Sequence, residues 1–122
     1  MIDKELGGEL VVRMFYARTD AHIRHLQTHS YAEHKALDEF YNELPDLVDS
    51  LIESYQGKYG RVLDYPSGYQ VPVATPQEFV SNLGDYVMAT RQAVAADSEL
   101  QNDIDAIQTL INSTQYKLTF LR

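Results

Sequence analysis

The chain has 122 residues, no cysteine and a formal net charge of −8, which fits one hydrophobic core and excludes disulfides and thiolate metal sites. Hydrophobic residues make up 44% and charged residues 23%, proportions that exclude a disordered chain. The acidic balance, with no Lys/Arg cluster, disfavours direct nucleic-acid binding, and the lack of any run of ~18 apolar residues or of a leader pattern predicts a soluble, cytoplasmic protein that does not span a membrane.

From Glu5 to about Thr28, Leu6, Leu10, Val11, Met14, Phe15, Ala21 and Leu26 recur at helical spacing and are expected to face the core. Ser30-Tyr31-Ala32-Glu33 then reads as a capping box that opens a second helix. Its apolar stripe runs from Leu37 and Phe40 through Tyr41, Leu44, Leu47, Val48, Leu51 and Ile52 to Tyr55. Pro45 predicts a kink within it, and Gly57 and Gly60 are expected to end it. Residues 58–74, with Gly60, Pro66, Gly68 and Pro72, predict an irregular connection. Thr75-Pro76-Gln77-Glu78 marks the start of a third helix with Phe79, Val80, Leu83, Tyr86, Val87 and Val94 on its apolar face. Asp97 or Ser98 caps the fourth, which is expected to bury Leu100, Ile104, Ile107, Ile111, Leu118 and Leu121. The expected fold is therefore all-α. It is one domain over residues 1–122, an antiparallel four-helix bundle with a single long crossover between helices two and three, which is the ferritin-like pattern.

Helix two carries a second stripe beside the apolar one: Tyr31, His34, Asp38, Asn42, Pro45, Asp49, Glu53 and Gln56, without Lys or Arg. Such a stripe is most simply a solvated acidic face. All four histidines, however, fall between His22 and His34, and a hairpin turn near residues 29–30 sets His25 roughly opposite His34. Imidazole and carboxylate from His25, His34 and Asp38 form a plausible iron or zinc ligand set. Asp38 and Asp49 share a face but lie ~16 Å apart at 1.5 Å per residue, too far to share an ion within one chain. The pairs 38/49 and 34/53 share one midpoint, so an antiparallel helix-two pair about a twofold near residues 43–44 would bring Asp38 to the partner's Asp49 and His34 to the partner's Glu53. That isologous contact predicts two equivalent metal sites per dimer, each with His25, His34 and Asp38 from one chain and Asp49 and Glu53 from the other.

The order His25…His34-x3-Asp38-x10-Asp49-x3-Glu53 resembles the ferroxidase signature of the Dps (DNA-protection-during-starvation) mini-ferritins. The resemblance covers about residues 9–122. It implies non-haem iron, as one ion or a di-iron pair, shared across a homo-oligomer whose unit is a twofold dimer, and oxidation of Fe(II). Leu26 stands where that family has Trp, Ser54 where it often has a basic residue, and no Lys-rich N-terminal tail is present. His22 keeps the family's interval to the second histidine, whereas the hairpin geometry favours His25, so the choice between them stays open. Ser30 to Leu37 and Tyr55 to Gly60 also look like small proteins of tailed bacteriophages. Two functions follow as expectations. One is an iron-binding, ferroxidase-type protein; the other is a non-catalytic, phage-encoded acidic helical protein that binds and modulates a host protein. No nucleophile motif or Gly-rich phosphate loop supports a hydrolase.

Overall fold

Asp3 starts the first helix, its carboxylate accepting from the Leu6 amide at 3.0 Å, and α1 runs over Lys4–Gln27. The computed structural model describes residues 2–68 and 73–121; Pro72, expected within the crossover, lies outside the described residues. After a short turn come α2 (Tyr31–Tyr59), α3 (Pro76–Val94) and α4 (Ser98–Phe120), with no strand among the described residues. At the head of α3, Thr75 accepts from the Glu78 amide (3.2 Å) and donates to the Glu78 carboxylate (2.9 Å), with Pro76 in the first turn, where no amide is required. Asp97 flanks α4 but makes no side-chain cap, because its carboxylate is held by Lys58 and Tyr59.

The direction of each helix follows from contacts at the two ends. The Gln77 amide, at the start of α3, donates to the Leu118 carbonyl (3.1 Å) near the end of α4 and reaches Glu33 (3.5 Å) near the start of α2. At the other end Lys58, in the last turn of α2, pairs with Asp97 (2.7 Å) and Glu99 (3.1 Å) at the head of α4. Helices α2 and α3 therefore run the same way, and the crossover travels the length of the bundle. Helix α1 packs on α2 and α3, and α4 packs on the same two.

Phe40, Leu44, Leu37, Met14, Leu100 and Ile104 are fully enclosed, and Tyr55 joins them at the crossover end. Gly8 is required by a close approach. A Cβ there would sit 2.8 Å from the Asp64 carbonyl oxygen, so only glycine admits the crossover backbone against α1. Val62 is buried beneath it.

Four expectations need correction. Gly57 lies within α2 rather than ending it; Gly60, at φ 88°, is the terminator. Phe15 (37% exposed), Leu26 (72%) and Leu121 (49%) are not core residues. On α1, Ala17, Ala21 and His25 take the inward positions, which turns Phe15 and Leu26 outward. Leu121 follows the last helical residue, where the chain has already left the core. No described helix is long and apolar enough to cross a membrane.

Candidate metal half-site on the α1/α2 hairpin

The capping box at Ser30 forms with a relay. Ser30 Oγ accepts from the Glu33 amide (3.2 Å), but Glu33 answers through Thr28, whose hydroxyl donates to it (2.7 Å) and accepts from the Ser30 amide (3.1 Å). This tight turn lays the last turn of α1 against the first turn of α2. His25, only 9% exposed, then stacks on His34 with ring centroids 3.6 Å apart and planes 19° from parallel.

Each of these rings is tied to the other's backbone. His25 Nδ1 lies 2.7 Å from the His34 carbonyl oxygen, and His34 Nδ1 lies 2.8 Å from that of His25. A carbonyl can only accept, so both Nδ1 atoms donate and each neutral ring keeps its lone pair on Nε2. A backbone carbonyl on one ring nitrogen is how metal-binding histidines are commonly oriented, with the other nitrogen left for the ion.

Asp38 stands one turn further along α2. The Tyr41 hydroxyl (2.8 Å) and the Asn42 amide (3.0 Å) both donate to its Oδ1, leaving Oδ2 unengaged by either. The Tyr41 hydrogen bond holds the Asp38 carboxyl below its usual range; desolvation opposes this, while His25 and Lys35 add to it. The same bond raises the Tyr41 hydroxyl above its ordinary value. His22 is exposed, stacks on Tyr41 at 4.1 Å and lies edge-on to His25, with 5.9 Å between the ring centroids. Sequence reasoning passed over Tyr41 as a core residue, although its i+3 offset from Asp38 was a usable signal.

Asp49 and Glu53 lie exposed farther along α2 and are not gathered with the histidines. Among the described residues of this one chain, no three His, Asp or Glu side chains form a group that could hold a metal ion. The stack explains part of this, because in-plane lone pairs of nearly parallel rings do not converge on one point. Beside Asp49, a shallow groove of about 430 Å³ opens between the helices, lined by Phe15, Tyr16, Arg18, Thr19, Pro45 and Asp49.

Residues 25–118 match DUF5856, a family of unknown function. The chain belongs to this family. All five candidate ligands fall inside the DUF5856 segment, whereas Phe15 and Arg18 precede it. The chain is also similar to an uncharacterised 14.6 kDa protein from the mobD–ri intergenic region of Enterobacteria phage T4, at 32% identity over 119 residues, covering 96% of this chain and 87% of the phage protein. No solved structure matches it.

Proposed function

We propose that this DUF5856 chain is an iron-binding protein of ferritin-like topology, similar in plan to the Dps mini-ferritins, whose metal site is split across a twofold dimer. Each chain contributes His25, His34 and Asp38 to one site and Asp49 and Glu53 to the other. The observation that carries this reading is the reciprocal tethering of His25 and His34 through Nδ1, with no hydrogen bond to either Nε2 among the described residues. The loading of both hydrogen bonds onto one oxygen of Asp38 adds a third ligand atom of the right chemistry. Stacked rings suit a pair of neighbouring ions better than a single one, which favours a di-iron arrangement. Fe(II) would then be the substrate: two ions would give one electron each to one molecule of hydrogen peroxide, which would take up two protons and leave as two waters. The chain's own part is to fix the ligands and to keep Asp38 ionised.

The test is anaerobic Fe(II) binding by calorimetry on wild type, Asp38→Asn and His29→Gln. Wild type is expected to bind stoichiometrically, His29→Gln to match it because that side chain is exposed in the turn, and Asp38→Asn to lose at least about tenfold in affinity. Absence of binding by wild type would sink the proposal.

A second reading keeps the same face without the metal. In it the protein is a non-catalytic, phage-encoded helical protein that docks on a host protein. The similarity to a phage T4 protein favours it, as does the absence of a three-ligand group among the described residues of a single chain.

A further inference from the structure

A cavity of about 900 Å³ opens between the first half of α1 and the start of the crossover. Glu9, on its wall, is ~24 Å along the helix from His25 at 1.5 Å per residue, so the cavity is separate from the metal half-site. Its crossover wall is seated rather than loose. Val62 is 4% exposed, its amide is held by Gln56 Oε1 at 2.9 Å, and the Asp64 carbonyl rests where Gly8 has no Cβ. The missing side chain also brings Tyr65 against α1, with Cδ1 3.7 Å from the place a Gly8 Cβ would take. Tyr65 is nonetheless 42% exposed and Leu63 71%, so an aromatic ring and an aliphatic side chain are held beside the space instead of being packed in the core. A space of this size far exceeds a bare ion and matches an organic ligand.

Charge decides which kind. Lys4, Arg13 and Arg61 line the cavity with Glu5, Glu9 and Asp64, so the lining is formally neutral in a chain of net charge −8. Glu9 is taken by Arg13 at 3.2 Å. Lys4 and Arg61, by contrast, are exposed and form no ion pair among the described residues, although carboxylates outnumber cations by 18 to 10 in the chain. They also adjoin each other: the Lys4 ammonium lies 3.4 Å from where a Cβ of Gly60 would stand, and Arg61 is the next residue. Two neighbouring cations with no carboxylate paired to either favour an anion at that point. We propose that this cavity binds a small organic phosphate monoester with a flat ring, the class to which nucleoside monophosphates belong. The phosphate sits on Lys4 and Arg61, and the ring on Tyr65. Two cations suit a phosphate monoester, which carries close to two charges at neutral pH, better than a carboxylate with one. An exposed tyrosine stacks on any base, so the ring contact sets the class and not the base. Glu5 and Asp64, exposed at the same cavity, repel a triphosphate or a nucleic-acid chain more than a single phosphate.

The experiment is a titration of AMP into the isotope-labelled full chain, followed by NMR amide shifts, with adenosine, inorganic phosphate and ATP as comparisons. Saturable shifts are expected at residues 4–13 and 61–68 and not around His25 and His34. AMP should bind at least about tenfold more tightly than adenosine or inorganic phosphate, and ATP no more tightly than AMP. Lys4→Ser and Arg61→Ser should each weaken AMP binding at least about tenfold. Tyr65→Leu, which keeps the apolar bulk against Gly8 but cannot stack, should weaken it at least about fivefold. Lys35→Ser removes an exposed cation of α2 outside the cavity and should leave the affinity as it was. Circular dichroism shows that each variant keeps its helices. The proposal is overturned by the absence of saturable shifts at millimolar AMP, by shifts centred away from the cavity, or by AMP binding no better than adenosine or inorganic phosphate. A folded chain carrying both Lys4→Ser and Arg61→Ser that binds AMP as wild type does would overturn it equally.

Discussion

If each metal site draws ligands from both chains, two inactive variants should restore each other when mixed. Asp38→Asn removes a carboxylate from the histidine half, and Asp49→Asn removes one from the opposite half, ~16 Å along the same helix at 1.5 Å per residue. Neither homodimer retains a complete site. Random pairing of equal amounts makes half of the dimers mixed. A mixed dimer has one site with His25, His34 and Asp38 from the Asp49→Asn chain, completed by Asp49 and Glu53 of the Asp38→Asn chain; its other site has lost both carboxylates. About a quarter of the wild-type sites should therefore reappear. The two chains are co-expressed with different tags, the mixed dimer is isolated by tandem affinity, and bound Co(II) is titrated by its visible absorption. The isolated mixed dimer should then show about half the wild-type stoichiometry. Binding no greater than the average of the two parents would refute the shared site, as would full binding by either parent alone.

Two further predictions concern stability. Gly8→Ala and Gly57→Ala are the same change in a helix, yet opposite signs are expected in urea denaturation. At Gly57 nothing lies within 4 Å of the new methyl, so the gain should be about 0.5–1 kcal/mol. At Gly8 the methyl meets the Asp64 carbonyl at 2.8 Å, and overpacking of about 1–3 kcal/mol should exceed the helix gain; stabilisation at both sites would show that the crossover is not seated on α1. The Asp97 carboxyl is held below its ordinary range, first by Lys58 and then by Tyr59. Its contribution is therefore present above the unfolded carboxyl value and lost as pH falls through the lower folded one. Asp97→Asn should lower the thermal midpoint at neutral pH, and the difference from wild type should shrink below about pH 4. A difference independent of pH would mean that the Lys58–Asp97 pair does not contribute through charge.

Helix starts were legible because capping is local chemistry: Ser30 and Thr75 each accept from the amide three residues on, within reach of their own side chains. Asp3 does the same for α1 and could have been read by the same rule. Phe15 and Leu26 were misplaced for a different reason. Helical periodicity defines a broad apolar arc on α1, and which edge of that arc faces a neighbour depends on where α2 and α3 lie. With Ala17, Ala21 and His25 inward, the arc is rotated toward smaller side chains, and the large ones at its edge are left outside. The approach of His25 to His34 followed from turn length alone. The exchange of carbonyl bonds between the two rings did not, since it depends on ring rotation that spacing cannot specify.

Arg18 is the residue whose role most changes the electrostatic argument. Read along α2 only, the stripe from Asp38 to Glu53 is cationless, so an empty dimer would be held apart by its own carboxylates and would need an ion to close. The structure places an arginine from the neighbouring helix in the groove that Asp49 borders. Its long stem can lie on the Phe15 and Pro45 surfaces while the guanidinium faces the carboxylates, a division of labour typical of amphipathic side chains. In the proposed dimer, assembly and metal binding would then be separable events. Arg18, with Phe15 and Tyr16 in the same groove, would close the seam of the proposed dimer, and the ion would enter a site already built, competing with Arg18 for the same carboxylates. Arg18→Ala should accordingly weaken the metal-free dimer yet strengthen Co(II) binding per assembled site, measured at protein concentrations high enough to keep the variant dimeric. Loss of both properties together would instead mean that Arg18 is needed to position Asp49, and that the carboxylates and the arginine act as one unit.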